Sequence, residues 1–393
     1  MKKSIQVNLE ATAEAGADMK VLITGGAGLV GSECIRLFSE RNWEVVSVDN
    51  YMRGKIFGEQ GDTRSNMKRV LEKCNITHFE MDIRNKQIGE LIKEVDAVIH
   101  TAAQPSHPRS IEIPIEDFQI NAWGTLSLLE GLRQFNSDIP FVFCSTNKVY
   151  GDAPNYYAYK KVGKRYEPID PSLKDGFNET LRTDRCEHTP FGVSKLTADS
   201  YTQEYASTYG LKTGVFRMGC ITGGASMAVE MHNWEPYFVE KALSGDYLTI
   251  YGYEGYQVRD VIHARDLARL FYEFIKKPRA GEVYNVGGGK KNSISLLEAI
   301  DLIEELTGKR IKYKFGPARE GDHIWYISDI KKALDHYPNW RLELGLKDIF
   351  AEIVEARKEL RCYSAKPSIL NEREFYLEGE TVEDLYCPPL PAL

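Results

Sequence analysis

Three glycines, Gly25, Gly28 and Gly31, are spaced three residues apart directly after the apolar run Lys20-Val21-Leu22-Ile23. A short apolar run halted by Thr24-Gly25-Gly26-Ala27-Gly28 predicts a buried strand that turns sharply into a helix starting near Leu29. The first glycine permits the tight turn and the second lets main-chain amides approach an anion. The third lets helix and strand pack closely, with the helix N-terminus facing that anion. Further buried strands follow: Glu44 to Val48, ending at Asp49, then Asp96-Ala97-Val98-Ile99-His100, Pro140-Phe141-Val142-Phe143-Cys144 and Thr213-Gly214-Val215-Phe216-Arg217. Helical patterns separate them, as over Ile120 to Gln134 and from Lys195 to about Tyr209. Strand and helix alternating at this spacing predict an α/β fold with a Rossmann-like, doubly wound parallel sheet.

From Gly223 onward the elements shorten and aromatic loops appear, as in Trp234-Glu235-Pro236-Tyr237 and Tyr251-Gly252-Tyr253-Glu254-Gly255-Tyr256. This predicts a smaller, interleaved C-terminal substrate-binding lobe. The expected division is an N-terminal extension over 1–18, a mainly dinucleotide-binding part over 19–220, a mainly substrate-binding lobe over 221–360, and a C-terminal arm over 361–393. The 393 residues are ample for such a core. The 50 basic and 57 acidic side chains are mixed along the chain, with no basic stripe to replace counterions on a phosphate backbone, so nucleic acid is excluded as a partner. Seven scattered cysteines without a Cys-x-x-Cys pair fit free thiols in a reducing compartment, and a cytoplasmic location is expected. Three of them, Cys144, Cys186 and Cys220, flank motif residues. No apolar run is long enough for a membrane span, and Ser4 to Met19 is too polar for a signal peptide.

Asp49 at the end of the second strand is placed to hold the hydroxyls of an adenosine ribose and would repel a 2′-phosphate, so NAD is expected rather than NADP. The expected cofactor-binding set is Gly25, Gly28, Leu29, Val30 and Gly31, with Asp49-Asn50 behind them. Asp82-Ile83, after the third strand, has the position of a pair that holds adenine, and Thr101-Ala102-Ala103 that of a small-residue loop beneath the pyrophosphate. Asn121, within a helix, is expected to brace the fold. No metal site is expected.

Together with Ser145-Thr146-Asn147-Lys148-Val149-Tyr150-Gly151-Asp152 and Phe191-Gly192-Val193-Ser194-Lys195, these residues resemble the extended short-chain dehydrogenase/reductase family. Within it they resemble the NAD-dependent nucleotide-sugar epimerases and dehydratases, most of all the CDP-paratose 2-epimerase (CDP-tyvelose epimerase) type. Gly176-Phe177-Asn178-Glu179, His188-Thr189-Pro190 and Gly281 to Gly289 add to the likeness, which spans Met19 to about Glu355. The resemblance implies an enzyme that oxidises a nucleotide-diphosphate sugar transiently at a ring carbon and reduces it again on the other face. It implies Lys195 beneath the nicotinamide ribose and Thr146 on the reacting oxygen. Gln104, Asn147, Lys148, Arg259, Arg319 and Asp322 would line the substrate, the two arginines gripping its diphosphate. His232 falls in the family's substrate loop, where a lone histidine is expected to be structural. A homodimer or higher homo-oligomer is implied, paired through helices at about 109–135 and 190–208.

The family's catalytic Tyr-x-x-x-Lys reads here as Phe191-x-x-x-Lys195. A phenol exchanges a proton with a sugar hydroxyl and a benzyl ring does not. Three readings stay open: another group moves the proton, a Tyr-to-Phe change traps substrate, or the protein binds NAD and nucleotide-sugar without turnover. Dehydratases of the family carry an Asp-Glu pair where this chain has Asn147-Lys148, which places a 4,6-dehydratase behind an epimerase.

Overall fold

The computed structural model describes residues 19–230 and 232–364. The expected extension over 1–18 lies outside the described residues, as does the expected arm over 361–393 apart from its first four residues, which are not irregular but end the helix Leu346–Ser364. Seven strands form one parallel sheet: β1 (Lys20–Thr24), β2 (Glu44–Asp49), β3 (Thr77–Glu80), β4 (Ala97–His100), β5 (Pro140–Thr146), β6 (Lys212–Met218) and β7 (Glu282–Val286). Their spatial order is 7-6-5-4-1-2-3, so the winding direction reverses between β1 and β4.

The strands read as unbroken apolar runs because both faces of the sheet are covered. Successive side chains enter opposite cores: Val21, Ile23, Ala97, Ile99 and Val142 join one, while Leu22, Val98, Phe141 and Phe143 join the other. The helix Leu29–Glu40 covers the first face together with Ala264–Lys276, and Gly124–Phe135 and Pro190–Tyr209 cover the second.

The helical pattern over Ile120 to Gln134 is not one regular helix. Two short helices, His107–Glu112 and Pro114–Phe118, run into a π-turn at Gln119–Trp123 before the regular helix Gly124–Phe135 begins. Pro108 and Pro114 start the two short pieces, and the Thr125 hydroxyl donates to Asn121 O at 2.6 Å beside the turn. Asn121 itself is buried and bonds both main-chain groups of Gln104, which ties the loop after β4 to this helix.

The smaller lobe is built around the strand Val258–His263, which pairs with Cys220–Thr222, Ser293–Ser295 and Trp325–Tyr326. The helices Trp234–Ser244, Leu296–Thr307 and Leu346–Ser364 enclose its own core. The chain leaves this lobe in mid-course: Ala264–Lys276 and β7 belong to the large sheet's layers, although both fall within 221–360. Among the described residues no helix is long and apolar enough to cross a membrane. The six cysteines among them are free.

One buried ion pair fastens the site-bearing elements. Asp199 accepts from Arg217 Nε and Nη2, both at 2.9 Å, and from Ser145 Oγ at 2.6 Å. It thereby joins Pro190–Tyr209 to the ends of β5 and β6. Asp199→Ala leaves the guanidinium buried and uncompensated, and should cost roughly 3–5 kcal/mol in urea unfolding.

Candidate active site

The sheet's C-terminal edge opens into a cleft of about 440 Å³ that also runs along the smaller lobe. At one end lies the glycine turn. Gly25 has φ +74°, and a Cβ there would stand 2.7 Å from Ala102 N. A Cβ on Gly31 would stand 2.2 Å from Gly25 O, so the helix seats on the turn only because that carbon is missing. Leu29–Glu40 starts from Gly28 without a side-chain cap, leaving its first amides to an outside anion. The residues present therefore fit a dinucleotide pyrophosphate.

Asp49 accepts from Ala27 N at 3.0 Å and Tyr51 N at 2.8 Å. Burial pushes its carboxyl up and these two amides hold it back. Burial also acts on Asp82, but hydrogen bonds from Arg84 prevail and keep it below the usual carboxylate range. Asn50 Nδ2 donates to Asp82 at 2.9 Å, linking the two acidic positions. The Thr101 hydroxyl donates to Thr24 O at 2.7 Å, which closes the loop after β4 onto β1. Leu29, Val30, Asn50, Ile83, Ala102 and Ala103 line the cleft as well.

Thr146 ends β5, and its Oγ1 accepts from Lys148 N at 3.2 Å. Lys195 Nζ donates to Cys144 O at 2.6 Å and lies over the Phe143 ring; burial pulls it down to about 8. Phe191 lines the same wall, its amide held by Ser110 Oγ at 3.0 Å. Lys148 Nζ donates to Gly321 O at 2.7 Å, and burial lowers it to about 8 against the pull of Asp322. Asn147 lies beside it. From the smaller lobe, Arg259 pairs with Asp322, while Arg319 stacks on Tyr251 at 4.0 Å and donates to Glu230 O. Burial would raise Asp322, but Arg259 and Lys148 hold it well below the usual range.

Two expected residues stand outside this lining. Gln104 is buried, with its amide donating to Ser106 O and Asp117, so its side chain is spent on the loop rather than offered to a ligand. Gly31 sits behind the turn, where its part is packing. The cysteine neighbours are no bases: burial pushes the thiols of Cys144 and Cys220 up to about 12. Cys186 is not in the lining.

Three lining residues, His107, Glu235 and Gln257, were given no role from the sequence. His107, which burial and Lys148 push down to about 3, has a buried Nδ1 without a partner. His232, expected to be structural, accepts at Nδ1 from Arg53 Nη1 at 3.1 Å and stacks on Phe57. Glu235 and Gln257 each bury a side-chain oxygen without a partner. Trp234-Glu235-Pro236-Tyr237, expected as an aromatic loop, is instead the first turn of the helix Trp234–Ser244.

The profile of the NAD dependent epimerase/dehydratase family matches residues 21–287. The chain belongs to that family. It is 36% identical to CDP-paratose 2-epimerase of Salmonella typhi, over 84% of this chain and 96% of that protein. It is 30% identical to dTDP-glucose 4,6-dehydratase of Escherichia coli, over 79% and 82% respectively. In structure it is similar to UDP-glucuronic acid 4-epimerase from Bacillus cereus, solved with UDP-glucuronic acid and NAD: TM-score 0.73 and 26% identity, over 87% of this chain and 100% of that one. The chain is thus an enzyme of the NAD-dependent nucleotide-sugar epimerase and dehydratase group, with the doubly wound sheet of that group.

Gly31→Ala drives a methyl group into the Gly25 carbonyl. It should weaken NAD binding at least about tenfold, read by fluorescence titration, if the displaced turn loses even one pyrophosphate contact of the charge-assisted kind.

Proposed function

We propose that the protein is an NAD-dependent epimerase of a nucleotide-diphosphate sugar, acting at C2 of a CDP-sugar. The observation that supports this most is one cleft lined both by the glycine turn with Asp49 and by the Arg259–Asp322 pair, with Thr146, Lys148 and Lys195 in the same lining. Similarity to a 2-epimerase favours C2, and Asn147-Lys148 lacks the carboxylates needed to expel water from a sugar.

Bound at the glycine turn, NAD would supply a two-electron acceptor that takes hydride from the sugar carbon and gives it back. The chain's own residues do the rest. Lys195, anchored to Cys144 O, sets a positive charge beneath the cofactor's ribose, and Thr146 orients the reacting hydroxyl. That hydroxyl must lose its proton and regain it, and Phe191 carries none. His107, at about 3, stays neutral and is too weak a base. Lys148, at about 8, has a free-amine fraction near neutral pH and is two residues from Thr146, with its amide on that hydroxyl. Lys148 is therefore the proton carrier in this reading.

Turnover should accordingly rise with pH through about 8, as Lys148 loses its proton. Lys148→Met should lower turnover by roughly two to four decades while the Kd for NAD stays unchanged, and adding Phe191→Tyr should restore part of the loss. If no reduced-nicotinamide absorbance appears with any nucleotide-sugar at any pH, the epimerase reading fails, and a protein that only binds takes its place.

The homodimer belongs to the same reading. Ile115 (74% exposed), Phe118, Val193 and Tyr201 leave an apolar outer surface on the helices over 107–118 and 190–209. Ile115→Glu should shift the sedimenting species from dimer to monomer.

A further inference from the structure

The smaller lobe's end of the cleft is walled by Trp234, Tyr237, Tyr251 and Leu296, a lining suited to a flat heterocycle. Two polar side chains interrupt it. Glu235 is 1% exposed, and its Oε1 has no partner. Gln257 is equally buried; its Nε2 donates to Tyr251 O at 2.8 Å, which fixes the amide's orientation and leaves Oε1 without a partner. Neither has a structural use for that oxygen. Arg259, whose charge acts on Glu235, is already held by Asp322 and by Val258 O. Buried acceptors without donors are costly and rare in native interiors. Two in one ligand cleft are best explained by a ligand that brings the donors.

We propose that Glu235 and Gln257 form a nucleobase subsite that reads the exocyclic amine of cytosine. This deepens the nucleotide-sugar reading above and rests on it. A cytosine amine offers two N–H donors, one for each unpartnered oxygen. Uracil and thymine carry a carbonyl oxygen at that ring position, which would face Gln257 Oε1, an acceptor at every pH, and leave both unpaired. Selection thus works mainly by rejection, the mode in which polar sites discriminate best. Burial holds the Glu235 carboxyl up to about 8, so near neutral pH its hydroxyl can also donate to the cytosine ring nitrogen.

The test is calorimetric titration of the full-length, NAD-loaded protein with CDP, UDP, dTDP and GDP. CDP should bind at least about tenfold tighter than the other three, the factor expected when a buried polar group is left unpaired by the wrong base. Glu235→Leu and Gln257→Leu should bring CDP down to the level of UDP. Glu235→Gln, which keeps a donor and an acceptor, should retain part of the preference. Because Glu235 has no protein partner for Oε1, Glu235→Leu should also raise the Tm of the ligand-free protein. Equal or tighter binding of UDP, dTDP or GDP would overturn the proposal, as would an unchanged ranking in the leucine variants or a lowered Tm in Glu235→Leu. Failure of all four nucleotides to bind is a different result: it overturns the nucleotide-sugar reading itself.

Discussion

The Asp199 carboxylate is the fixed point from which the site's geometry follows. It holds Ser145, and so the strand end that presents Thr146, against the helix that carries Phe191 and Lys195. Arg217 continues the chain of contacts, donating to the Tyr150 hydroxyl at 3.1 Å, which in turn donates to Asn285 at 2.7 Å. Asn285 Nδ2 reaches Phe177 O, next to the aromatic cluster under the smaller lobe. A charge without water around it is tolerable only when every lone pair is used, and here each link uses the previous one. Stiffness of this kind would keep a hydroxyl and an ammonium in register with the ligand of the proposed reaction.

Much of the nucleotide end was legible in the sequence because its signals are local. Gly25, Gly28 and Gly31 fall within seven residues, and Asp49 ends the next strand, so strand, turn and helix are read from one stretch of chain. The Asp199–Arg217 pair was not legible, since nothing in the spacing distinguishes it from any acid and base on neighbouring elements. Gln104 misled for a related reason. Its place after β4 is where a ligand passes, but a side chain that can bond Ser106 and Asp117 closes on its own loop instead. The break before Gly124 was hidden too: apolar spacing reports which face is buried, and a π-turn shifts that face without erasing the pattern.

In the reading proposed above, Phe191 and Lys148 together recast how proton transfer is divided in this cleft. With a phenol, the lysine one helical turn on lowers the acid's pKa by its charge. With a benzyl ring, Lys195 has no acid to tune and keeps its ribose-side place. The load then falls on Lys148, lowered chiefly by burial and further by Arg259. An amine and a phenol reach neutrality from opposite charge states. Nearby positive charge nevertheless favours the base form of either, so Asp322 beside Lys148 opposes the free amine while burial and Arg259 favour it.

The crossing of the chain between its two lobes has a mechanical consequence. The connection passes from β6 into Cys220–Thr222, returns to the sheet after His263, leaves after Val286, returns with Lys331–His336 against β7, and leaves again for Leu346–Ser364. A lobe joined to the sheet at five crossings opens as a jaw only if all five bend together, which stiffens it against swinging on a single hinge. For the same reason a single backbone nick between the lobes would leave both halves interlocked, and neither could be excised as an independent piece.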